Sequence, residues 1–223
     1  PQPGPEGLAG RSSHGCRLTF GKQPGSVRRA MVPIAESIRF AVAGERAWFC
    51  FTGRAAAERA RDFDAAVGCM AREGIREIHL DMGGCPLLDS TFAGTLAGLA
   101  EEKGPDGSVV RFILHGARPR IVDGLANLDV LPLLHVVDIG EPCAFTGPMV
   151  DLPRGTGSKE DLGRFCLKAH ENLGRLSDAN RARFEDVCRM LSGELARNTA
   201  APAPPPGSAS SQNRGDSPKA PTP

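Results

Sequence analysis

Apolar and polar positions alternate with two different periods along the middle of the chain. From Ile38 to Val42 every second residue is apolar, a period of two that predicts a half-buried strand. A Gly-Glu turn follows, and the apolar run at residues 47–51 predicts a second strand and a hairpin. Patterns of the same kind predict three further strands, at residues 75–82, 109–114 and 133–139.

Helical spacing separates these strands. Phe63, Val67 and Met70 fall at positions i, i+4 and i+7, which predicts a helix over residues 55–73. Two shorter helices are predicted at residues 91–103 and 119–128. The resulting order β-β-α-β-α-β-α-β predicts the α/β class, with a mixed sheet whose strands are joined by crossover helices.

A second helical pattern follows a stretch rich in Pro and Gly. Ser158 to Asp161 has the composition of a capping box, and Leu162, Phe165, Ala169 and Leu173 then recur at helical spacing. A new helix begins near Ser177, so an αα-hairpin is predicted. Its apolar faces need a surface to cover them, either the sheet domain or a partner.

These patterns divide the chain into five parts. The sequence predicts a disordered N-terminal extension, a sheet domain, a linker, a helical hairpin and a disordered tail, at residues 1–32, 33–145, 146–157, 158–197 and 198–223. Met31, which lies where the strand pattern begins, is a candidate start of translation.

Composition narrows the class of protein. The net charge is +1, which gives no electrostatic reason to expect nucleic acid or an acidic membrane as a partner. No apolar run is long enough for a membrane span or a secretory leader. The 7 cysteines are odd in number and scattered, so they are expected to be reduced and mostly buried in a cytoplasmic protein.

The candidate chemistry lies after the third predicted strand. There a short loop delivers Asp89 and Ser90 to a helix start. Both residue types are favoured N-caps, and capping is the simplest interpretation of the pair. A phosphate on Ser90 would be stabilised by the helix dipole and would add about −1.5 to −2 charge beside Asp89. On a surface that binds a partner, this charge would weaken the complex.

Asp89-Ser90-Thr91 followed by Gly94 resembles the D-S-[ST]-G-x-G-x-L pattern of the STAS domain, over about residues 38–139. That family includes the anti-sigma factor antagonists, also called anti-anti-sigma factors. The resemblance implies that Ser90, or as second choice Thr91, is phosphorylated by an anti-sigma factor with a GHKL-type kinase fold. Phe92 replaces the first Gly of the pattern, and it either joins the core or narrows kinase access. Gly94 is expected, with Gly98, to let the helix approach the sheet closely.

The resemblance implies a regulator of transcription and not an enzyme, so no catalytic residue is expected. Its unphosphorylated surface, formed by Asp89, Ser90, Thr91, Phe92 and Gly94, would bind the anti-sigma factor. A serine phosphatase would reverse the modification. No cofactor or metal is expected, because ATP belongs to the kinase. Two alternatives remain: a structural or regulatory subunit of a transporter or stressosome-like complex without a phosphorylation switch, and a STAS domain that binds a small ligand.

Two further clusters have simple interpretations. His79 and Asp81 share one face of a strand and would need a third ligand such as Cys85 to hold a metal, so exposed sheet surface is favoured. The glycine-rich segment from Gly155 to Lys159 lacks the spacing of a phosphate-binding loop and follows no predicted strand, which indicates a linker.

Overall fold

The structure is a computed structural model, and it describes residues 36–104, 107–137 and 145–200. The predicted N-terminal extension, with Met31, lies outside the described residues. So does the tail after residue 200. Helical structure continues to Ala200, beyond the predicted start of the tail at residue 198, because no helix-breaking residue precedes Pro202.

One mixed sheet of six strands organises the described residues, in the spatial order β5-β4-β3-β2-β1-β6. The strands are β1 (Ser37–Ala43), β2 (Arg46–Thr52), β3 (Glu77–Gly84), β4 (Arg111–His115), β5 (His135–Val136) and β6 (Val150–Asp151). β1 runs antiparallel to β2 and β6, whereas β2, β3, β4 and β5 are mutually parallel. Gly44, with φ 60°, makes the tight turn between β1 and β2.

Helices connect the parallel strands, as their direction requires. The α-helices are α1 (Ala57–Arg72), α2 (Ser90–Glu101), α3 (Pro119–Ala126), α4 (Lys159–Leu176) and α5 (Asp178–Ala200). A short 3₁₀ turn, Leu131–Leu133, precedes β5. The predicted α/β class with a mixed sheet and crossover helices is therefore confirmed.

The core lies between the sheet and the helices and is centred on aromatic rings. Phe63 of α1 packs edge-on against Phe49 and Phe51 of β2, with ring centroids 4.9 and 5.7 Å apart. Phe92 of α2 lies 5.4 Å from the Phe63 ring. These side chains are fully or almost fully buried, and together they hold α1 and α2 against one face of the sheet.

The linker prediction for residues 146–157 is corrected in part. Val150 and Asp151 form β6 and pair with Phe40 and Arg39 at the sheet edge. Leu152 is buried, and its carbonyl accepts a hydrogen bond from Arg59. Two paired residues are too few to give a period in the sequence, and this explains why the pattern gave no sign of the strand.

α4 and α5 pack against each other. Gly163 near the start of α4 lies beside Leu195 of α5, and Gly174 near its end lies beside Arg181, so the two helices run antiparallel. α4 also packs along α2, where Ala169 and Leu173 are buried. Among the described residues, no helix has the length and apolar character needed to cross a membrane.

Candidate functional site

The loop that carries Asp89 is fixed by backbone hydrogen bonds. It follows the carboxyl end of β3, and it pairs with the segment that leads into α1. The amide of Ala55 donates to the carbonyl of Leu87 at 2.9 Å, and the amide of Asp89 donates to the carbonyl of Ala55 at 3.1 Å. The start of α2 is therefore held in a defined position beside the start of α1.

Asp89 alone caps α2. One of its carboxylate oxygens accepts from the amide of Phe92 at 2.8 Å, which satisfies a free N–H group of the first turn. The other accepts from the amide of Ala57 at 3.1 Å, at the start of α1. The side chain of Ser90 takes no part in either contact, and it begins the helix as its first residue.

The hydroxyl of Ser90 instead contacts α4. Its Oγ lies 3.0 Å from Nε2 of His170, an imidazole that is only 7% exposed. Nδ1 of the same ring lies 2.8 Å from the carbonyl oxygen of Cys166, which can only accept. Nδ1 therefore carries the proton, so in the neutral ring Nε2 accepts and Ser90 donates. Ser90 itself is half-buried.

Thr91 lies deeper in the same contact. It is 6% exposed, and its Oγ1 lies 3.9 Å from the Sγ of Cys166. Burial raises the pKa of the Cys166 thiol; the hydrogen bond from Thr91 opposes this effect, and the negative charges of Asp89 and Glu58 add to it. Two carboxylates thus act on the Cys166 thiol, and one of them, Asp89, directly precedes Ser90 in the chain.

Phe92 belongs to the core. Its side chain is fully buried, with its ring 5.3 Å from that of Phe51 and 5.4 Å from that of Phe63. Phe92 was predicted to be part of the partner-binding surface, and this part of the prediction is corrected, because a fully buried side chain cannot contact a partner. Its position on the face of α2 that points to the sheet explains why a large apolar residue stands there.

The role expected for Gly94 and Gly98 is also wrong. Both face α4 and not the sheet. A Cβ atom on Gly94 would lie 2.1 Å from the carbonyl oxygen of Ala169, and one on Gly98 would lie 2.1 Å from Nδ2 of Asn172. Asn172 donates a buried hydrogen bond of 3.0 Å to the carbonyl of Gly94. The absence of side chains at these two positions lets α4 approach the backbone of α2.

The predicted site residues therefore lie together at the start of α2, but α4 covers most of them. This contact is made by Ala169, His170 and Asn172, none of which was predicted from the sequence to belong to the site. The apolar stripe of α4 was visible in the sequence and included Ala169. Nothing in its spacing indicated that it would lie against Ser90, about 80 residues earlier in the chain.

His79 and Asp81 do not converge with Cys85. The ring of His79 contacts His115 at 2.8 Å and Glu77 at 2.9 Å, and Asp81 accepts from the amide of Gly83 at 2.9 Å. The sulfur of Cys85 contacts the carbonyl of Leu87. Within the described parts of the chain there is no group of three or more His, Cys, Asp or Glu side chains suited to a metal ion.

The expectation that the cysteines are mostly buried is wrong for those that the structure describes. Of these, Cys85 is buried, Cys69 is exposed, and the other three are half-buried. Burial raises the pKa of the Cys85 thiol and so disfavours its reactive thiolate form.

Comparisons with known proteins add no assignment to this geometry. No model of a known protein family matches the chain. A search of curated proteins also gives no match.

Proposed function

We propose that this protein is an anti-sigma factor antagonist of the STAS type, and that phosphorylation of Ser90 controls its binding to an anti-sigma factor. In this proposal the unphosphorylated protein binds an anti-sigma factor with a GHKL-type serine kinase fold and thereby releases a sigma factor. The kinase supplies ATP, and a serine phosphatase restores the binding form. The protein itself acts by binding and works in the cytoplasm.

The observation that carries this proposal is that Asp89, and not Ser90, caps α2. If Ser90 were the N-cap of α2, its hydroxyl would have a structural role that explains its presence. Asp89 fills that role with one carboxylate oxygen, and its other oxygen accepts from the amide of Ala57 at the start of α1. The Ser90 hydroxyl is thus free of capping and is held at the positive end of a helix, where a phosphate is stabilised.

The charges near Ser90 support an electrostatic effect of phosphorylation. Asp89 and Glu58 are both close enough to act on the neighbouring Cys166 thiol. A phosphate beside them would bring a third anionic group to one surface. Burying such a charge without a partner costs about 3–5 kcal/mol, a large part of the roughly 8 kcal/mol that a micromolar complex provides.

The topology also supports the proposal. The order of strands and helices agrees with the STAS resemblance, and Ser90 follows the central parallel strand β3. We interpret α4 and α5 as the C-terminal helical hairpin that the sequence predicts after the linker. In this interpretation it is an extension added to the STAS domain.

Phosphate mapping tests the modification. The full chain is incubated with ATP and a lysate of its source organism, and phosphorylated residues are located by mass spectrometry. We expect phosphate on Ser90, its loss in Ser90→Ala, and its retention in Thr91→Val. Absence of phosphate from Ser90 and Thr91 under every growth condition would reject the switch.

Binding tests the mechanism. Full-length Ser90→Asp and Ser90→Ala are each used to retain a GHKL-type kinase from the same lysate, and the bound amount is measured. We expect Ser90→Ala to bind and Ser90→Asp to lose at least about tenfold in affinity, which corresponds to about 1.4 kcal/mol. Equal binding by the two variants contradicts repulsion as the mechanism.

A second candidate function is a STAS subunit of a transporter or stressosome-like complex, without a phosphorylation switch. The packing of α4 over the start of α2 favours it, since the half-buried hydrogen bond between Ser90 and His170 gives the serine a purely structural role. The two functions differ in what the protein retains from a lysate. For the second function we expect transporter subunits or scaffold proteins in place of a kinase. We also expect Ser90→Asp and Ser90→Ala to retain the same amount.

A further inference from the structure

We propose that α4 is an intramolecular cover over the phosphoacceptor face of α2, and that Ser90 becomes a kinase substrate only after α4 has moved away. The cover consists of Cys166, Ala169, His170 and Asn172 of α4. This inference rests on the proposed function, because it concerns the regulation of the same site.

The covered face of α2 is continuous. Ser90, Gly94 and Gly98 are spaced by four residues and so lie on one side of the helix. Each meets a different residue of the cover. Ser90 bonds to His170, the backbone at Gly94 lies against Ala169, and Gly98 faces the amide of Asn172. The contact thus extends over two turns, starting from the phosphoacceptor.

Phosphoryl transfer needs the space that the cover fills. The reaction forms a bond between Ser90 Oγ and the γ-phosphorus of ATP, breaks the bond from that phosphorus to ADP, and passes the hydroxyl proton to a base of the kinase. The attacking and leaving oxygens must lie roughly in line, so the kinase must enclose the acceptor and its neighbours. Here the hydroxyl donates to His170, and Thr91 is 6% exposed.

The contact between the cover and α2 contains few large apolar side chains, so we expect that it can open. It rests on small residues and on three hydrogen bonds to α2, and Leu173, which lies beside it on α4, is the large apolar side chain of that helix that is fully buried. Residues 153–158 lead into α4 and are exposed throughout, and surface hydrogen bonds hold them to the fold, such as that from the Gly155 amide to Asp62 at 3.0 Å. The far end of α4 is tied to the loop after α3 by polar contacts, such as that of Ser177 with Asp129 at 2.6 Å.

A thiol at position 91 reports opening without any kinase. The reference protein is the full chain with Thr91→Cys and Cys166→Ser, and its alkylation at position 91 by iodoacetamide is followed by mass spectrometry. Adding Gly94→Ala places a Cβ against the Ala169 carbonyl and should speed alkylation on the order of tenfold or more, since overpacking displaces α4. Gly124→Ala is the matched control, because its Cβ meets nothing within 4 Å.

The inference is overturned if the reference thiol reacts as fast as a free cysteine peptide, or if Gly94→Ala and Gly124→Ala give the same rate. Should Gly94→Ala fail to fold, as judged by circular dichroism, Asn172→Ala serves in its place. It removes the hydrogen bond to the Gly94 carbonyl without adding bulk, and we expect faster alkylation in the same assay.

A protein in which a disulfide holds α4 against α2 allows this inference to be tested separately from the proposed function. Thr91→Cys with native Cys166 places two sulfur atoms where the structure has a 3.9 Å contact, so diamide can oxidise them to a disulfide between α2 and α4. We expect a lysate with ATP to phosphorylate Ser90 in the reduced protein and not in the oxidised one. Equal phosphorylation of both forms rejects the cover but keeps the switch. If Gly94→Ala speeds alkylation but neither the reduced nor the oxidised protein is phosphorylated, the switch is rejected and the cover is kept.

Discussion

Asp89 serves two helices with one side chain. Its carboxylate accepts from the amide of Phe92 in α2 and from the amide of Ala57 at the start of α1. An N–H group that is removed from water without a partner costs free energy similar to that of a lost hydrogen bond, and here two partly buried N–H groups depend on the same side chain.

Replacing Asp89 should therefore destabilise the fold more than the loss of an ordinary N-cap. We expect Asp89→Ala to lower the free energy of unfolding by about 2 kcal/mol, measured by urea denaturation. Asp89→Asn is the control: its amide keeps one oxygen to accept from Phe92, and its loss should be smaller. Equal losses in the two variants would mean that the charge, and not the pair of accepted bonds, stabilises the start of α2.

For single residues, the sequence predicted which residues start a helix better than it predicted which way their side chains point. Placing Asp89 and Ser90 at a helix start needed only local chemistry, since short polar side chains favour N-caps. Local chemistry did not show which of the two would cap. It also did not show that Phe92 would point to the core and Gly94 to α4. The face that a helical residue presents is decided by what packs against that helix, and α4 lies about 80 residues away in the chain.

Among the elements, those with long periodic patterns were predictable. α1 and β1 each carry a regular apolar repeat, and the predicted and observed bounds agree to within two residues at their ends. β6 was missed because it has two residues, too few for any period. It forms because the edge of β1 that faces away from β2 has unpaired N–H and C=O groups, which can pair with a segment that passes beside them.

The imidazoles of His79 on β3 and His115 on β4 lie in contact, and they make the stability of the fold depend on pH. Burial lowers the pKa of His115, and the neighbouring charges of His79 and His135 lower it further, while Asp81 opposes the change. A His with a lowered pKa takes up its proton more readily in the unfolded chain. Its contribution to stability is therefore complete above the unfolded value of about 6.5, and it is lost as the pH falls through the folded value.

We accordingly expect the free energy of unfolding to decrease as the pH is lowered below about 6.5. His115→Asn should make this decrease smaller, because its amide can still donate to His79 but does not titrate. His135→Asn, at an exposed position on β5, is the comparison and should leave most of the decrease in place. Urea denaturation at several pH values measures it; an unchanged pH dependence in His115→Asn would contradict this origin.

The whole described chain is joined by contacts at both ends of α4. Ala169 and Leu173 bury α4 against the sheet domain, and beyond it Asn180 donates to the carbonyl of Leu128 at 2.8 Å. Before it, Leu152 lies in the core beside Arg59. Opening of the cover is then a local event within a folded molecule, with a cost below that of global unfolding.

Two spectroscopic signals should consequently report one unfolding transition. Trp48 is the single tryptophan of a chain without tyrosine, so fluorescence follows the sheet, where its ring stacks on His79 at 5.2 Å. Far-ultraviolet circular dichroism is dominated by helices, and α4 and α5 supply 18 and 23 helical residues. We expect coincident urea midpoints for the two signals, as in a two-state domain. A helical signal that survives after the fluorescence change is complete would show that α4 and α5 fold as a separate unit, and α4 would then cover α2 without sharing its stability.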